Sequence, residues 1–255
     1  MDQTTVLVKR PIIRKIVLSP YMDLFGALLV LVISLVRSFH TTIYYQGAIQ
    51  FDIPLDQLWT YFMEGAYPLG ILSTIGAVFS LLSTRLVGKQ NNWGNFIGIL
   101  TTINSGTNDY LFDNRSAVIT YPLTFMITTF GTYNWTTGIK LRDRDRGYYI
   151  ILFVSMVVAY ILVFLGFHLF GGRQDWLFAN VVAITFGLSL GANVLSALKY
   201  KETWWSWVIY NIVQLVKNAL QANLANVVKY IFYLFNAAIT LIDWRFNGDR
   251  LGESD

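Results

Sequence analysis

Six side chains able to grip a flat, partly polar ligand recur between residues 204 and 221: Trp204, Trp207, Asn211, Gln214, Asn218 and Gln221. Their steps of 3, 4, 3, 4 and 3 keep all six on one face of an α-helix. The residues between them, among them Val208, Ile209, Ile212, Val213, Leu215 and Val216, suit lipid or packed helices. Amides in hydrocarbon are costly unless partnered, so the stripe is expected to face a bundle interior, a neighbouring helix or a watery cavity. Tryptophan faces stack on planar rings and attract cationic ones, while Asn and Gln offer donors and an acceptor to amides and sugars. Interhelical Asn and Gln also glue helices together, and tryptophan also anchors helices at the membrane interface. The anchor reading applies most to Trp204 and Trp205, which stand beside Lys201.

Other chemistries lack their residues. The chain has no cysteine and two histidines, His40 and His168, which excludes disulfides, thiolate chemistry and a histidine-rich metal site. No nucleophile with a base and no cluster of metal ligands is visible, so neither an intramembrane enzyme nor a cofactor is expected.

The elements that must hold the stripe follow from hydropathy. The 255 residues are 55% hydrophobic and only 13% charged, with a mean hydropathy of +0.48, too apolar for an ordinary soluble domain. Runs long enough to cross a hydrocarbon core of about 30 Å lie near 22–39, 66–87, 93–110, 116–136, 147–171, 175–198, 203–220 and 223–245. They predict an all-α polytopic membrane protein with eight transmembrane helices, two of them (93–110 and 203–220) short and polar. The first 20 or so residues read as an amphipathic surface stretch, and segment 40–65 as a long outer loop carrying a short surface helix. With the N-terminus inside, 14 of the 19 lysines and arginines fall on the inner side, which places both termini in the cytoplasm. Arg115 and Arg173 fall in outer loops, and Arg37, Lys217 and Lys229 near outer helix ends, where long basic side chains can snorkel. The net charge of +4 is spread over separate inner segments and is a topology signal, not a nucleic-acid patch. The alternating charges of Lys140 to Arg146 read as a solvated connector.

A faint internal repeat organises these helices. Shifted by 113 residues, Ile97-Gly98-Ile99 falls on Tyr210-Asn211-Ile212, and Leu82-Ser83 on Leu195-Ser196. The stripe residues Trp207, Asn211, Gln214, Asn218 and Gln221 then land on Gly94, Gly98, Thr101, Ser105 and Asn108, a second face of small or polar residues. A shift of 109 places Tyr121 on Tyr230 and Trp135 on Trp244. Two three-helix units, 66–136 and 175–245, result, joined by a connecting helix in 137–174. Residues 1–65 then form an N-terminal segment, extra helix and outer loop, and residues 246–255 a cytosolic tail. Parallel repeats of this kind place a substrate near the midplane between them. Pro122 can kink its helix, and Gly187, Gly191, Ala192 and Asn193 permit close helix approach.

Trp204-x-x-Trp207-x-x-x-Asn211, Tyr230, Trp244, Asn92-Trp93, Ile97-Gly98-Ile99, Tyr110-Leu-Phe and Gly131-x-Tyr-x-Trp135 together resemble the PnuC family of bacterial vitamin transporters, over about residues 66–245. The resemblance implies a SWEET-like 3+1+3 fold with one extra N-terminal helix. It also implies facilitated transport of a nucleoside-like vitamin across the bacterial plasma membrane, nicotinamide riboside first, with deoxynucleosides, thiamine or riboflavin as sibling substrates. A homotrimer and trapping of the substrate by a cytosolic kinase are implied as well. Trp207 and Asn211 fall on the family's Trp-x-x-x-Asn substrate motif and Trp204 on its upstream tryptophan. Many members have glutamine at the position of Tyr121, and a Tyr-Gly-Trp-Tyr-x-Trp signature reads here Phe130-Gly-Thr-Tyr-Asn-Trp135. The expected substrate site is Trp204, Trp207, Asn211, Gln214, Asn218, Tyr121, Asn134 and Tyr230. The stripe holds no deep carboxylate or histidine pair, so ion coupling is not expected. A membrane receptor or scaffold using the same stripe to bind helices is the alternative of a different class.

Overall fold

The computed structural model describes residues 9–138, 140–173 and 175–248. Residues 1–8, Arg250 and most of the expected cytosolic tail lie outside the described residues. Among the described residues ten α-helices dominate: α1 (Pro11–Leu18), α2 (Pro20–Val36), α3 (Leu55–Met63), α4 (Leu69–Gly88), α5 (Trp93–Leu111), α6 (Ala117–Thr136), α7 (Arg146–Phe170), α8 (Trp176–Ala197), α9 (Thr203–Leu220) and α10 (Leu224–Asn247). Each of the eight long apolar segments is a single helix whose ends lie within three residues of those read from the sequence. Taken alone, α4, α7, α8 and α10 are long and apolar enough to cross a membrane, and α1 with α2 form a pair bent by 51° that qualifies together. Helices α5, α6 and α9 are nearly as long, with 19, 20 and 18 residues, but carry more polar side chains. Many of those side chains, among them Thr101, Ser105, Thr124, Thr128, Asn211 and Gln214, line the cavity described below.

The outside of the bundle is apolar where lipid must lie. Phe153, Val157, Ile161, Phe164 and Leu165 of α7 are all exposed, a surface that water disfavours and acyl chains accept. The ends of the bundle differ. One, the basic end, carries Lys89, Arg142, Lys201 and Arg245, and the other carries a two-stranded hairpin, β1 (Ile43–Tyr45) with β2 (Ala48–Gln50). The hairpin was not foreseen in segment 40–65. Its turn residues Gln46 and Gly47 both have positive φ, 50° and 84°, the requirement of the tight turn that matches strand twist.

Caps fix where the helices begin. The Asp145 carboxylate accepts the Tyr148 N–H at 3.1 Å to start α7, and the Asp175 carboxylate accepts the Phe178 N–H at 3.0 Å to start α8. The Asn223 side-chain oxygen accepts the Asn226 N–H at the head of α10 and also the Ser73 hydroxyl, at 3.0 Å, which ties that end to α4.

Within 66–136, α4 packs on α5 and α5 on α6; within 175–245, α8 packs on α9 and α9 on α10. Between these groups, α6 packs on α8 and α10 on α4. Two indoles seal the second pair of contacts. Trp135 of α6 donates to the Ser196 carbonyl of α8 at 2.9 Å, and Trp244 of α10 donates to the Gly88 carbonyl of α4 at 2.9 Å. Helix α7 lies against α8 and α6, and α2 against α4 and α10. Helices α4 and α5 approach closely, since a Cβ on Gly94 would stand 2.6 Å from the Ser83 carbonyl oxygen and from the Val87 nitrogen.

The amphipathic α1 docks on the basic end. Arg14, 7% exposed, places its Nε 2.9 Å from Asp243 of α10. Arg85 of α4, 1% exposed, donates to the Asp23 carboxylate at 2.7 Å, to the Asn236 side-chain oxygen at 2.7 Å and to the Val17 backbone carbonyl at 2.6 Å. One guanidinium thereby joins α1, α2, α4 and α10, which its rigid fork of five donors permits.

Candidate binding cavity

Helices α4, α5, α6, α8, α9 and α10 surround a cavity of about 210 Å³. This is below the roughly 300–1,000 Å³ of common small-molecule pockets, so it suits a compact ligand. Trp204, Trp207, Asn211 and Gln214 all line it from α9, which puts the stripe on the inside of the bundle. Across from them stand Gly98, Thr101 and Ser105 of α5, three of the five residues that the repeat alignment set against the stripe. Tyr121 enters from α6 and Tyr230 from α10. The wall is otherwise rich in hydroxyls, with Ser80, Ser83 and Thr84 from α4 and Thr124 and Thr128 from α6. Thr124 and Thr128 donate back to the carbonyls of Thr120 and Thr124, which leaves their oxygens as acceptors toward the cavity.

Two expected residues stand elsewhere. Asn134 does not line the cavity; its side-chain amide donates to the Ala197 carbonyl at 2.5 Å and closes the end of α8. Asn218 is also outside the lining, and its amide donates to the Gln214 side-chain oxygen at 2.9 Å and to the Gln214 carbonyl at 2.9 Å. Gln214 in turn donates to the Tyr210 hydroxyl at 2.6 Å, so both ends of its amide are held. Tyr210 was not among the expected site residues. It lines the cavity, packs edge-on against Trp207 (5.1 Å between centroids) and Tyr230 (5.9 Å), and Tyr230 continues the series to Tyr233 (5.5 Å). The spacing Trp207, Tyr210, Gln214 was the available signal, since 3 and 4 residues separate them.

Two stripe residues that line the cavity each carry a buried polar atom with no partner among the described residues. The Trp204 indole N–H is one, although Trp204 is 2% exposed and packed edge-on against Trp244 at 5.4 Å. The Asn211 side-chain oxygen is the other, in a residue 3% exposed. A buried polar group without a hydrogen bond costs about 1–3 kcal/mol, so each is an open valence for a ligand or water.

Charge enters at the hairpin end. Lys217, expected to snorkel, turns inward instead: its Nζ lies 2.6 and 2.9 Å from the two oxygens of Asp109, with Lys217 and Asp109 side chains 4% and 10% exposed. Asp109 also accepts from Tyr121 at 2.8 Å, Asn114 at 3.1 Å and Gln221 at 3.3 Å. The carboxylate explains the reversal, because a lysine near a helix end goes to a buried counter-ion when one is within reach. Lys229, likewise expected at the surface, is 4% exposed, lines the cavity and lies over the Tyr230 ring at 4.4 Å.

A bundle of membrane-length helices around a hydroxyl-, amide- and aromatic-rich chamber is the architecture of a small-molecule carrier, and no group of three or more His, Cys, Asp or Glu able to hold a metal occurs among the described residues. The sequence profile of the nicotinamide mononucleotide transporter family matches residues 70–246, and the chain belongs to that family. It is accordingly a membrane-embedded transport protein of the PnuC type and not an enzyme. Among solved structures it is similar to the crystal structure of the vitamin B3 transporter PnuC, with a TM-score of 0.62 over 90% of this chain and 97% of that one at 18% sequence identity. No curated protein matches the chain.

Proposed function

We propose that the protein is a facilitator for a nucleoside-like vitamin, nicotinamide riboside first, with deoxynucleosides, thiamine or riboflavin as sibling substrates. The observation that carries this is the pair of unpartnered buried atoms, Trp204 Nε1 and Asn211 Oδ1, on side chains that line one chamber together with Trp207, Tyr210 and Tyr230. Indole and phenol rings suit the base, while the free amide oxygen accepts from a carboxamide or ribose hydroxyl. Tyr121 and Gln214 border the same ligand; Asn218 acts by holding Gln214, and Asn134 by fixing the end of α8.

The exchanged contacts of α6 with α8 and α10 with α4, each closed by an indole N–H, support a 3+1+3 parallel repeat with eight spans and α2 as the extra one. In this reading the two units rock about the chamber and no ion is coupled: Asp109 and Lys217 neutralise each other at its edge. The basic end faces the cytoplasm under the charge rule, in a bacterial plasma membrane, with trapping by a cytosolic kinase and assembly as a homotrimer.

The test is titration of the purified protein with nicotinamide riboside, thiamine, riboflavin and thymidine, followed by tryptophan fluorescence, together with uptake by cells. Asn211→Leu is expected to weaken the preferred ligand by about 1–3 kcal/mol, or roughly 5- to 150-fold. Unchanged binding and uptake in that variant overturn the assignment of Asn211. A protein that binds none of the four and takes none up is better described as a receptor or scaffold.

A further inference from the structure

A second cavity lies on the outside of the bundle, between the hairpin-end halves of α5 and α6. It is a groove of about 570 Å³, more than twice the volume of the chamber. Ile103 and Tyr110 line it from α5, and Val118, Pro122 and Phe125 from α6. Ile103, Val118 and Phe125 are exposed, so the groove opens sideways, and its lining is mostly apolar. Pro122 stands inside α6 and has no N–H to give to the Val118 carbonyl, so the helix ladder is interrupted beside the groove. Gly106 of α5 lets the Tyr121 ring come close, since a Cβ there would stand 2.9 Å from it. Tyr121 lines both the groove and the chamber, and its hydroxyl donates to Asp109 at 2.8 Å. It is a partition between the two spaces. Beyond Tyr110, in the turn between the two helices, the Arg115 guanidinium stands over the Tyr110 ring at 4.1 Å. The exposed Asp113 carboxylate is 3.8 Å from that guanidinium, too far for a hydrogen bond, so the charge is able to meet a second anion.

We infer that this groove seats one acyl chain of a phospholipid, with the lipid phosphate on Arg115, and that the seated chain braces the Tyr121 partition of the chamber. The chain belongs to a family of membrane transporters, so acyl chains are the apolar groups at hand. Two features set the groove apart from a plain lipid-facing surface such as that of α7. A groove surrounds an acyl chain with more partner atoms than a single helix face offers, and a guanidinium at one end matches the phosphate of the headgroup. The length also fits. From Tyr110 to Thr102 the groove runs about 12 Å along α5 at 1.5 Å per residue, close to the roughly 15 Å of hydrocarbon in one leaflet. A chain in the groove stops the Tyr121 ring from swinging outward and so keeps its hydroxyl on Asp109. It also covers the interrupted turn of α6. The site does not depend on which ligand the chamber takes.

The experiment uses the full-length protein and phosphatidylethanolamine carrying a diazirine midway along one acyl chain. In bilayers, photolabelling of residues 102–110 and 117–125 is expected to exceed that of the exposed face of α7 by at least about fivefold, mapped by peptide mass spectrometry. In detergent, native mass spectrometry is expected to retain one phospholipid per protomer, at least about fivefold more tightly than diacylglycerol, which has the chains but no phosphate. Arg115→Gln is expected to remove that difference. Thr107, exposed and on the groove wall, gives the blocking variant. Thr107→Trp fills the groove and is expected to lose the retained lipid, while Thr107→Val keeps it. Lipid added to delipidated wild type is expected to slow hydrogen exchange across residues 117–125 by about tenfold or more, with no such change in Thr107→Trp. Equal labelling of the groove and α7 identifies annular lipid only and overturns the inference, as does equal retention of diacylglycerol. An unlabelled groove in an oligomer that Thr107→Trp dissociates is an interface between copies of the chain, and the lipid site is refuted. Exchange across 117–125 that bound lipid leaves unmoved overturns the bracing of Tyr121. The wild-type labelling, retention and exchange decide the matter even where a variant does not fold. None of these readouts uses a chamber ligand, so a failure of the proposed substrate and a failure of the lipid site are told apart.

Discussion

Replacing Asp109 with asparagine keeps the shape of the side chain and removes the charge that Lys217 was buried against. At 2.6 Å and an effective dielectric of about 20, the attraction is about 6 kcal/mol before desolvation of the two ions is subtracted. The loss therefore sits in the range of about 3–5 kcal/mol found when one member of a buried pair is removed. Lys217→Met is expected to cost less, because the carboxylate keeps its neutral donors Tyr121, Asn114 and Gln221. The double variant Asp109→Asn with Lys217→Met leaves neither member of the pair stranded, and its stability is expected to return to within about 1–2 kcal/mol of wild type. Unfolding by graded SDS in lipid–detergent mixtures, read by tryptophan fluorescence, gives the four corners of the cycle. An Asp109→Asn loss under about 1 kcal/mol, or single losses that simply add in the double variant, refutes the claim that the pair is buried and mutually dependent.

Three further outcomes follow from other parts of the bundle. Gly94→Ala drives a methyl against the Ser83 carbonyl and the Val87 nitrogen, both at 2.6 Å, and is expected to cost about 1–3 kcal/mol in the same assay despite alanine's better helix propensity. Arg85→Met removes the group joining α1, α2 and α10; faster hydrogen exchange across residues 11–18 is expected, and unchanged protection there contradicts the docking described. Asp145 is held below the usual carboxylate range, first by the Tyr200 hydroxyl and then by the Tyr148 N–H and Arg142. A depressed carboxylate contributes stability above its unfolded value of about 3.9 and loses it as pH falls toward the folded one. The gap in thermal midpoint between wild type and Asp145→Asn should hold from pH 8 to pH 5 and narrow below about pH 4.

Most of the long helices were legible because each is a hydrophobic run with polar or glycine-rich breaks, and one such run reports its own length without knowing its neighbours; the polar segments 93–110 and 203–220 were legible mainly because the flanking loops must alternate sides. The inward face of α9 was legible for the same local reason: Trp207, Asn211 and Gln214 repeat at helical spacing amid branched apolar residues. Distant partnerships were not. Lys217 and Asp109 are 108 residues apart, and a lysine near a helix end looks the same whether it snorkels or meets a carboxylate. Asn134 read as a ligand group because nothing near it in sequence announces the Ala197 carbonyl that it satisfies. The hairpin of residues 43–50 had a signal, Gln46-Gly47 between Tyr45 and Ala48, but strands of three residues carry too little alternation to be read as such.

The ion pair of α5 and α9 also sets an order for biogenesis. In the proposed eight-span arrangement Asp109 enters the bilayer with a helix too polar to qualify as a span by hydropathy alone, and its lysine is synthesised 108 residues later. At about 5–20 residues per second that interval is roughly 5–20 s. Throughout it the nascent first half carries an unneutralised carboxylate near its membrane edge, and only the arrival of α9 ends that state. Chains arrested before α9 are thus marked by an orphan acid, the kind of intramembrane feature by which incomplete products differ from finished ones.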